Sequence, residues 1–149
     1  MDISEPGPFG ASINRKGNEP PAAVSVHGWR YHHIGIPTDV PRSGEQYLAQ
    51  FKMYVSAFET SPCGIQWMRF EPDSPIHTLI KSVPHIAFEV DDLEAAIKGK
   101  EILTEPNSPS EGVMVAMILD SGAPVELLEF RRDVTGKIVA QVSGDAEPV

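Results

Sequence analysis

The chain is poor in cysteine and in positive charge, and it has no long apolar run. Cys63 is its one cysteine, so an internal disulfide is impossible and nothing points to an oxidising compartment. Twelve Lys and Arg residues stand against 21 Asp and Glu, a net charge of −9. Nucleic acid requires a basic stripe to neutralise phosphates, so it is excluded as a partner. An anionic membrane surface is disfavoured on the same ground. No apolar stretch approaches the roughly 20 residues needed to span a bilayer. The opening MDISEPGPFG has neither a basic start nor an apolar core, so no secretory leader is expected and a cytoplasmic location is the default.

What is present suits one soluble domain with a real core: 149 residues, 41% hydrophobic and 22% charged. Residues 1–28, rich in Pro, Gly, Ser and Asn and without periodicity, read as a mobile arm. Residues 132–149 read as a tail in which KIVAQV could add an edge strand. Between them, 29–131 divides into a first unit (29–70), a linker (71–83) and a second unit (84–131).

In the first unit WRYHHIGIP is a strand. Ser43-Gly44-Glu45-Gln46 resembles a capping box, predicting a helix to Phe51 that buries Tyr47, Leu48 and Phe51. MYVSAFE and IQWMRF follow as strands. In the linker, a short strand is expected around His77–Ile80. The second unit opens with the strand HIAFEV. Asp91 with Glu94 is expected to cap a helix, LEAAIKG, stopped by Gly99. The strands EILTE, GVMVAMILD and PVELLEF complete it, the first two parted by a turn at Asn-Ser-Pro-Ser-Glu-Gly.

A repeat runs through these units. HHIGIPTDV (32–40) is echoed by PHIAFEVDDL (84–93), and GIQWMRF (64–70) by PVELLEF (124–130). The echo pairs His33 with His85, 52 positions on, and Gln66 with Glu126, 60 positions on. Two half-units that each supply one imidazole and one oxygen ligand suggest a four-ligand metal site. Strand alternation places Tyr31, His33 and Gly35 on one face and His85, Ala87 and Glu89 on the matching face, with the aliphatic residues turned away. Gln66 groups with Met68 and Phe70, Glu126 with Leu128 and Phe130. A mixed N/O set suits a borderline divalent ion such as Zn, Ni, Co, Mn or Fe. Such an ion acts as a Lewis acid on a substrate oxygen and makes the neighbouring C–H more acidic.

The phrases HHIGIP, PHIAFEVDDLEAAI and PVELLEF resemble the vicinal oxygen chelate superfamily, over about residues 29–131. That superfamily includes glyoxalase I, methylmalonyl-CoA epimerase, extradiol dioxygenases and bleomycin-resistance proteins. The resemblance implies an α+β fold in which two βαβββ-type modules form a cupped, mostly antiparallel sheet around a divalent metal, usually as a homodimer. It implies metal ligands at His33, Gln66, His85 and Glu126, the positions the echo selects. The implied activity is that of a metal-dependent isomerase, epimerase or lyase. It would act on a small substrate with adjacent oxygens, with Glu126 moving the proton and Met68, Phe70, Leu128 and Phe130 lining the pocket. Two alternatives stand beside it: a non-catalytic small-molecule binding or resistance protein, and a ring-cleaving dioxygenase. His33 to Gln66 spans 33 positions against 41 from His85 to Glu126. The first module is therefore expected to lack about one strand and turn, which counts against a large thioester substrate.

The remaining polar residues read as structural. His32 is expected on the opposite face from His33, and His27 and His77 fall in the arm and the linker. Glu89 and Glu59 are weak acid/base candidates, and Cys63 has no base beside it to activate a thiol. Trp67 and Arg69 alternate away from Gln66, toward a helix or a subunit contact. Met114 and Met117 differ in parity, so one of them at most faces the cavity.

Overall fold

The computed structural model describes residues 14–139. Eight strands form one curled sheet: β1 (Arg30–Pro37), β2 (Gln46–Leu48), β3 (Met53–Ser56), β4 (Ile65–Phe70), β5 (His85–Glu89), β6 (Ile102–Ser110), β7 (Val113–Asp120) and β8 (Ala123–Phe130). Their spatial order is β2-β3-β4-β1-β5-β8-β7-β6, which reads identically outward from the centre in each half. β1 pairs antiparallel with β5 along the seam, and each is flanked by the last strand of its own half in parallel, β4 and β8. The fold is α+β, built from two paired modules.

The second module is a full βαβββ unit, with α3 (Leu93–Ile97) after β5. Asp92, not Asp91, is its N-cap: the Ala95 N–H donates to the Asp92 carboxylate at 3.2 Å. Asp91 instead accepts from Arg30 at 2.9 Å. α3 lays Leu93 over Phe88, Val90, Ala116, Ile118, Val125 and Leu127, the larger apolar core. Burial of each large side chain there contributes about 1.5–3 kcal/mol. Within the stretch read as an arm, a helical turn, α1 (Ala22–Ser25), seats Ala23 on this core together with Trp29.

The first module keeps all four strands and lacks the helix. Its shortness is therefore not a missing strand. Residues 46–48 pair with β3 instead of coiling. Gly44 sits at φ +79°, outside helical space, and the carboxylate of Glu45 accepts two hydrogen bonds from Arg69 rather than closing a capping box. Tyr47 and Leu48 then alternate as in a strand, Tyr47 exposed and Leu48 buried. Only residues 49–51 turn, as a single 3-10 turn. Trp67 and Arg69 meet side chains of the first module: Arg42 lies over the Trp67 ring, and Arg69 lies over Tyr54.

Two further differences have local causes. The linker forms a helix, α2 (Thr78–Ser82), where a strand was expected, because the His77 ring accepts from the Leu79 N–H and caps it. β6 runs on through the expected turn at residues 107–110. Its Pro106 and Pro109 are tolerated because β6 is an edge strand with repeated register shifts. In the tail, an isolated bridge joins Arg132 to Ile138; residues 140–142 of KIVAQV lie outside the described residues. No helix among the described residues is long and apolar enough to cross a membrane.

Candidate metal centre

The register of the four central strands brings the echoed residues into two adjacent rows. Glu126 on β8 is beside Ala87 on β5, which pairs with His33 on β1. Gln66 on β4 is beside Gly35 on β1, which pairs with His85 on β5. Each histidine therefore stands across the seam from a small residue of the other strand, and that leaves space for its ring.

His33, Gln66, His85 and Glu126 are all buried, at 0–1% exposure. One oxygen of Glu126, Oε1, lies 3.1 Å from His85 Nε2 and 3.3 Å from His33 Nε2. The two imidazoles meet edge to face with centroids 5.8 Å apart. One ligand atom from each of His33, His85 and Glu126 falls within 4.8 Å of the others. Burial pushes the Glu126 carboxyl upward, but the contacts with His33 and His85 outweigh it and hold the group at about 2. It is a carboxylate at neutral pH.

The site fits a cation better than it fits a closed hydrogen-bond network. Glu126 Oε2, His33 Nε2, His85 Nδ1 and both amide atoms of Gln66 are buried without a hydrogen-bond partner among the described residues. Leaving one such group unsatisfied costs about 1–3 kcal/mol. Five such atoms on these four residues call for a partner, and a divalent ion held by His33, His85 and Glu126, with Gln66 beside them, would supply one.

The other expected residues fall into place unevenly. Met68 and Phe70 belong to one apolar cluster with Leu48, Met53 and Val55. Leu128 and Phe130 belong to another with Ala87, Val113 and Val115. They flank the polar group from its two sides rather than forming one wall. Met117 is directly opposite Glu126 on β7 and buried, while Met114 is half-exposed. Glu89 is held by ion pairs with Arg132 and Arg30, Glu59 is exposed, and Cys63 is exposed.

Two expectations about β1 are overturned. His32 is not on the far side from His33: its Nδ1 lies 2.8 Å from His33 Nδ1. Its ring packs 5.4 Å from Phe130 and 5.7 Å from Phe58. Tyr31 leaves the ligand face; it pairs with Phe88, stays half-exposed and donates its hydroxyl to the Cys63 carbonyl. The cause is a β-bulge between Tyr31 and His33, which inserts one residue into the pairing and breaks the alternation. Burial, with His33 alongside, holds the His32 imidazole below its ordinary pKa. Phe58, from the β3–β4 loop, meets His33 edge to face at 5.4 Å and completes an aromatic roof with His32 and Phe130. No sequence signal pointed to Phe58.

Fold and site together define a paired-module α+β protein with a buried two-histidine, one-glutamate centre at the module seam. No protein-family model matches the chain, and no curated protein matches it. Among solved structures, a hypothetical protein from Bacillus halodurans C-125 matches with a TM-score of 0.52 at 19% identity, over 71% of this chain and 97% of that one. Methylmalonyl-CoA epimerase from Mycobacterium tuberculosis matches with a TM-score of 0.45 at 18% identity, over 71% of this chain and 91% of that one. At these identities the first likeness speaks for the fold alone, and the second carries no further weight.

Proposed function

We propose that the protein is a divalent-metal-dependent isomerase, epimerase or lyase of the vicinal oxygen chelate type, working on a small substrate with adjacent oxygens. The observation that carries this reading is the convergence of His33, His85 and Glu126 on one buried point, with a buried Gln66 amide that has no hydrogen-bond partner among the described residues. These four side chains would hold the ion. When bound, a divalent ion supplies Lewis acidity to oxygens placed against it and acidifies the adjacent C–H.

The chain's own part is proton transfer and exclusion of water. Glu126 is the proposed base. The C–H proton moves to its carboxylate, the electron pair stays with the substrate carbonyl group, and return of a proton to carbon completes an isomerisation or epimerisation. The depression of the Glu126 pKa comes from two histidine contacts. As those contacts loosen, burial is the influence that remains, and it raises the carboxylate's basicity. His32, Phe58 and Phe130 form the roof that keeps water from the reacting carbon. The apolar pairs Met68/Phe70 and Leu128/Phe130 are the proposed walls for the rest of the substrate.

Protein purified without chelators and equilibrated with Zn, Ni, Co or Mn in turn should hold one ion per chain, and His33→Ala and His85→Ala should each remove most of it. Small 2-oxo and 2-hydroxy acids incubated with the loaded protein in deuterated water should exchange a C–H for deuterium, and Glu126→Gln should stop the exchange. Wild-type protein that binds none of these ions ends the proposal. Stoichiometric metal with no exchange on any acid would favour a binding protein, and oxygen consumption with catechols on iron loading would favour a dioxygenase.

A further inference from the structure

We propose that His32 is a positioning residue for the metal centre: its Nδ1 accepts a hydrogen bond from Nδ1–H of His33 and thereby presents the His33 Nε2 lone pair to the ion. This rests on the metal-binding reading of the site. A neutral imidazole has one donor and one acceptor nitrogen, and whichever hydrogen bond one nitrogen makes sets the role of the other. His33 turns Nε2 toward Glu126 and Nδ1 toward His32, 2.8 Å away. A proton on Nε2 would block ligation, so the ligating tautomer carries its proton on Nδ1 and requires an acceptor there. His32 is the group placed to accept it.

The local build supports this assignment. The bulge at Tyr31/His33 turns two successive residues of one strand to the same side, which regular alternation forbids. The His32 ring is then set between Phe58 and Phe130, so its nitrogen is held in place rather than free to rotate. The two histidine ligands are supported differently. His85 Nδ1 has no hydrogen-bond partner among the described residues, and the His85 ring lies against the bare Cα of Gly35. Groups that hold the distal nitrogen of a ligating histidine typically contribute about 10–100-fold in metal affinity.

Two substitutions separate the acceptor from the ring. His32→Phe keeps an aromatic ring against Phe58 and Phe130 but has no acceptor. His32→Asn loses the ring but places an amide oxygen where Nδ1 was. In chelator competition with Zn and Co, His32→Phe should bind about 10–100-fold more weakly than wild type, while its metal-free form still unfolds cooperatively, at a melting temperature lowered by the buried His33 Nδ1 left without a partner. His32→Asn should recover most of that loss. In the zinc-loaded wild type, the His33 Nδ1 proton should appear in nitrogen-15 spectra as a hydrogen-bonded, slowly exchanging resonance that disappears in His32→Phe. Full affinity in His32→Phe overturns the inference, as does an equal loss in both variants or absence of the Nδ1 proton in the zinc-loaded protein. Failure of wild type to bind either ion instead removes the metal reading on which this inference stands.

Discussion

Gly35 leaves open the space that the His85 imidazole fills: a Cβ on Gly35 would lie 2.4 Å from His85 Cε1 and 2.9 Å from Nε2. The two residues face each other across the β1–β5 seam. Gly35 is therefore needed here for its lack of volume. The Gly35→Ala variant must push the ring away from Glu126, at an overpacking cost of about 1–3 kcal/mol. Metal affinity, measured by chelator competition, should fall at least about tenfold, in the range seen when a ligand loses its support. An unchanged affinity would show that His85 is not a ligand.

Metal should stabilise the fold by mass action. At 100 times the dissociation constant, a ligand specific to the native state contributes about 2.7 kcal/mol. For a chain of 149 residues that corresponds to a rise of roughly 5–10 °C in Tm. Calorimetry with and without Zn or Ni measures it. His33→Ala and Glu126→Ala should show no such rise; an equal rise in these variants would place the binding elsewhere.

Acid should weaken the metal-free protein through Glu126. Its folded value of about 2 lies below the ordinary 4.5, so the unfolded chain takes up the proton first. The stability it contributes is complete above about pH 4.5 and is lost as pH falls from there toward 2. Urea midpoints of wild type and Glu126→Gln, compared from neutral pH downward, should converge across that window. A constant gap would mean that Glu126 is not held ionised by His33 and His85.

Asp91 and Asp92 are adjacent and chemically alike, yet they should respond differently to removal. Asp92→Ala strips the cap from α3 and should cost about 1 kcal/mol. Asp91→Ala removes an exposed pairing with Arg30 and should cost at most a few tenths. Equilibrium denaturation distinguishes them.

The parts of this molecule that were legible in the sequence are those governed by regular period. His33, Gln66, His85 and Glu126 repeat at matching positions in two strand pairs, both pairs keep their phase there, and all four side chains are buried. His32 was misplaced because one inserted residue reverses alternation, and nothing in HHIGIP marks the insertion. The helix expected over residues 43–51 failed for another reason. Tyr47, Leu48 and Phe51 satisfy a helical stripe, but Gly44 in left-handed space and the Arg69–Glu45 pairing are properties of the folded chain. Phe58 could not be anticipated, because its role depends on where a loop returns over β1.

The seam between β1 and β5 divides the four proposed ligands, two from each half. Sliding one strand past the other by a single residue would move a histidine by about 3.3 Å and turn it to the wrong face. Metal coordination tolerates errors of about 0.2 Å. An ion at this point would thus act as a gauge of register: it would be held when the halves are correctly docked and released when they are not. Zinc uptake during refolding would then time the moment the two modules lock together.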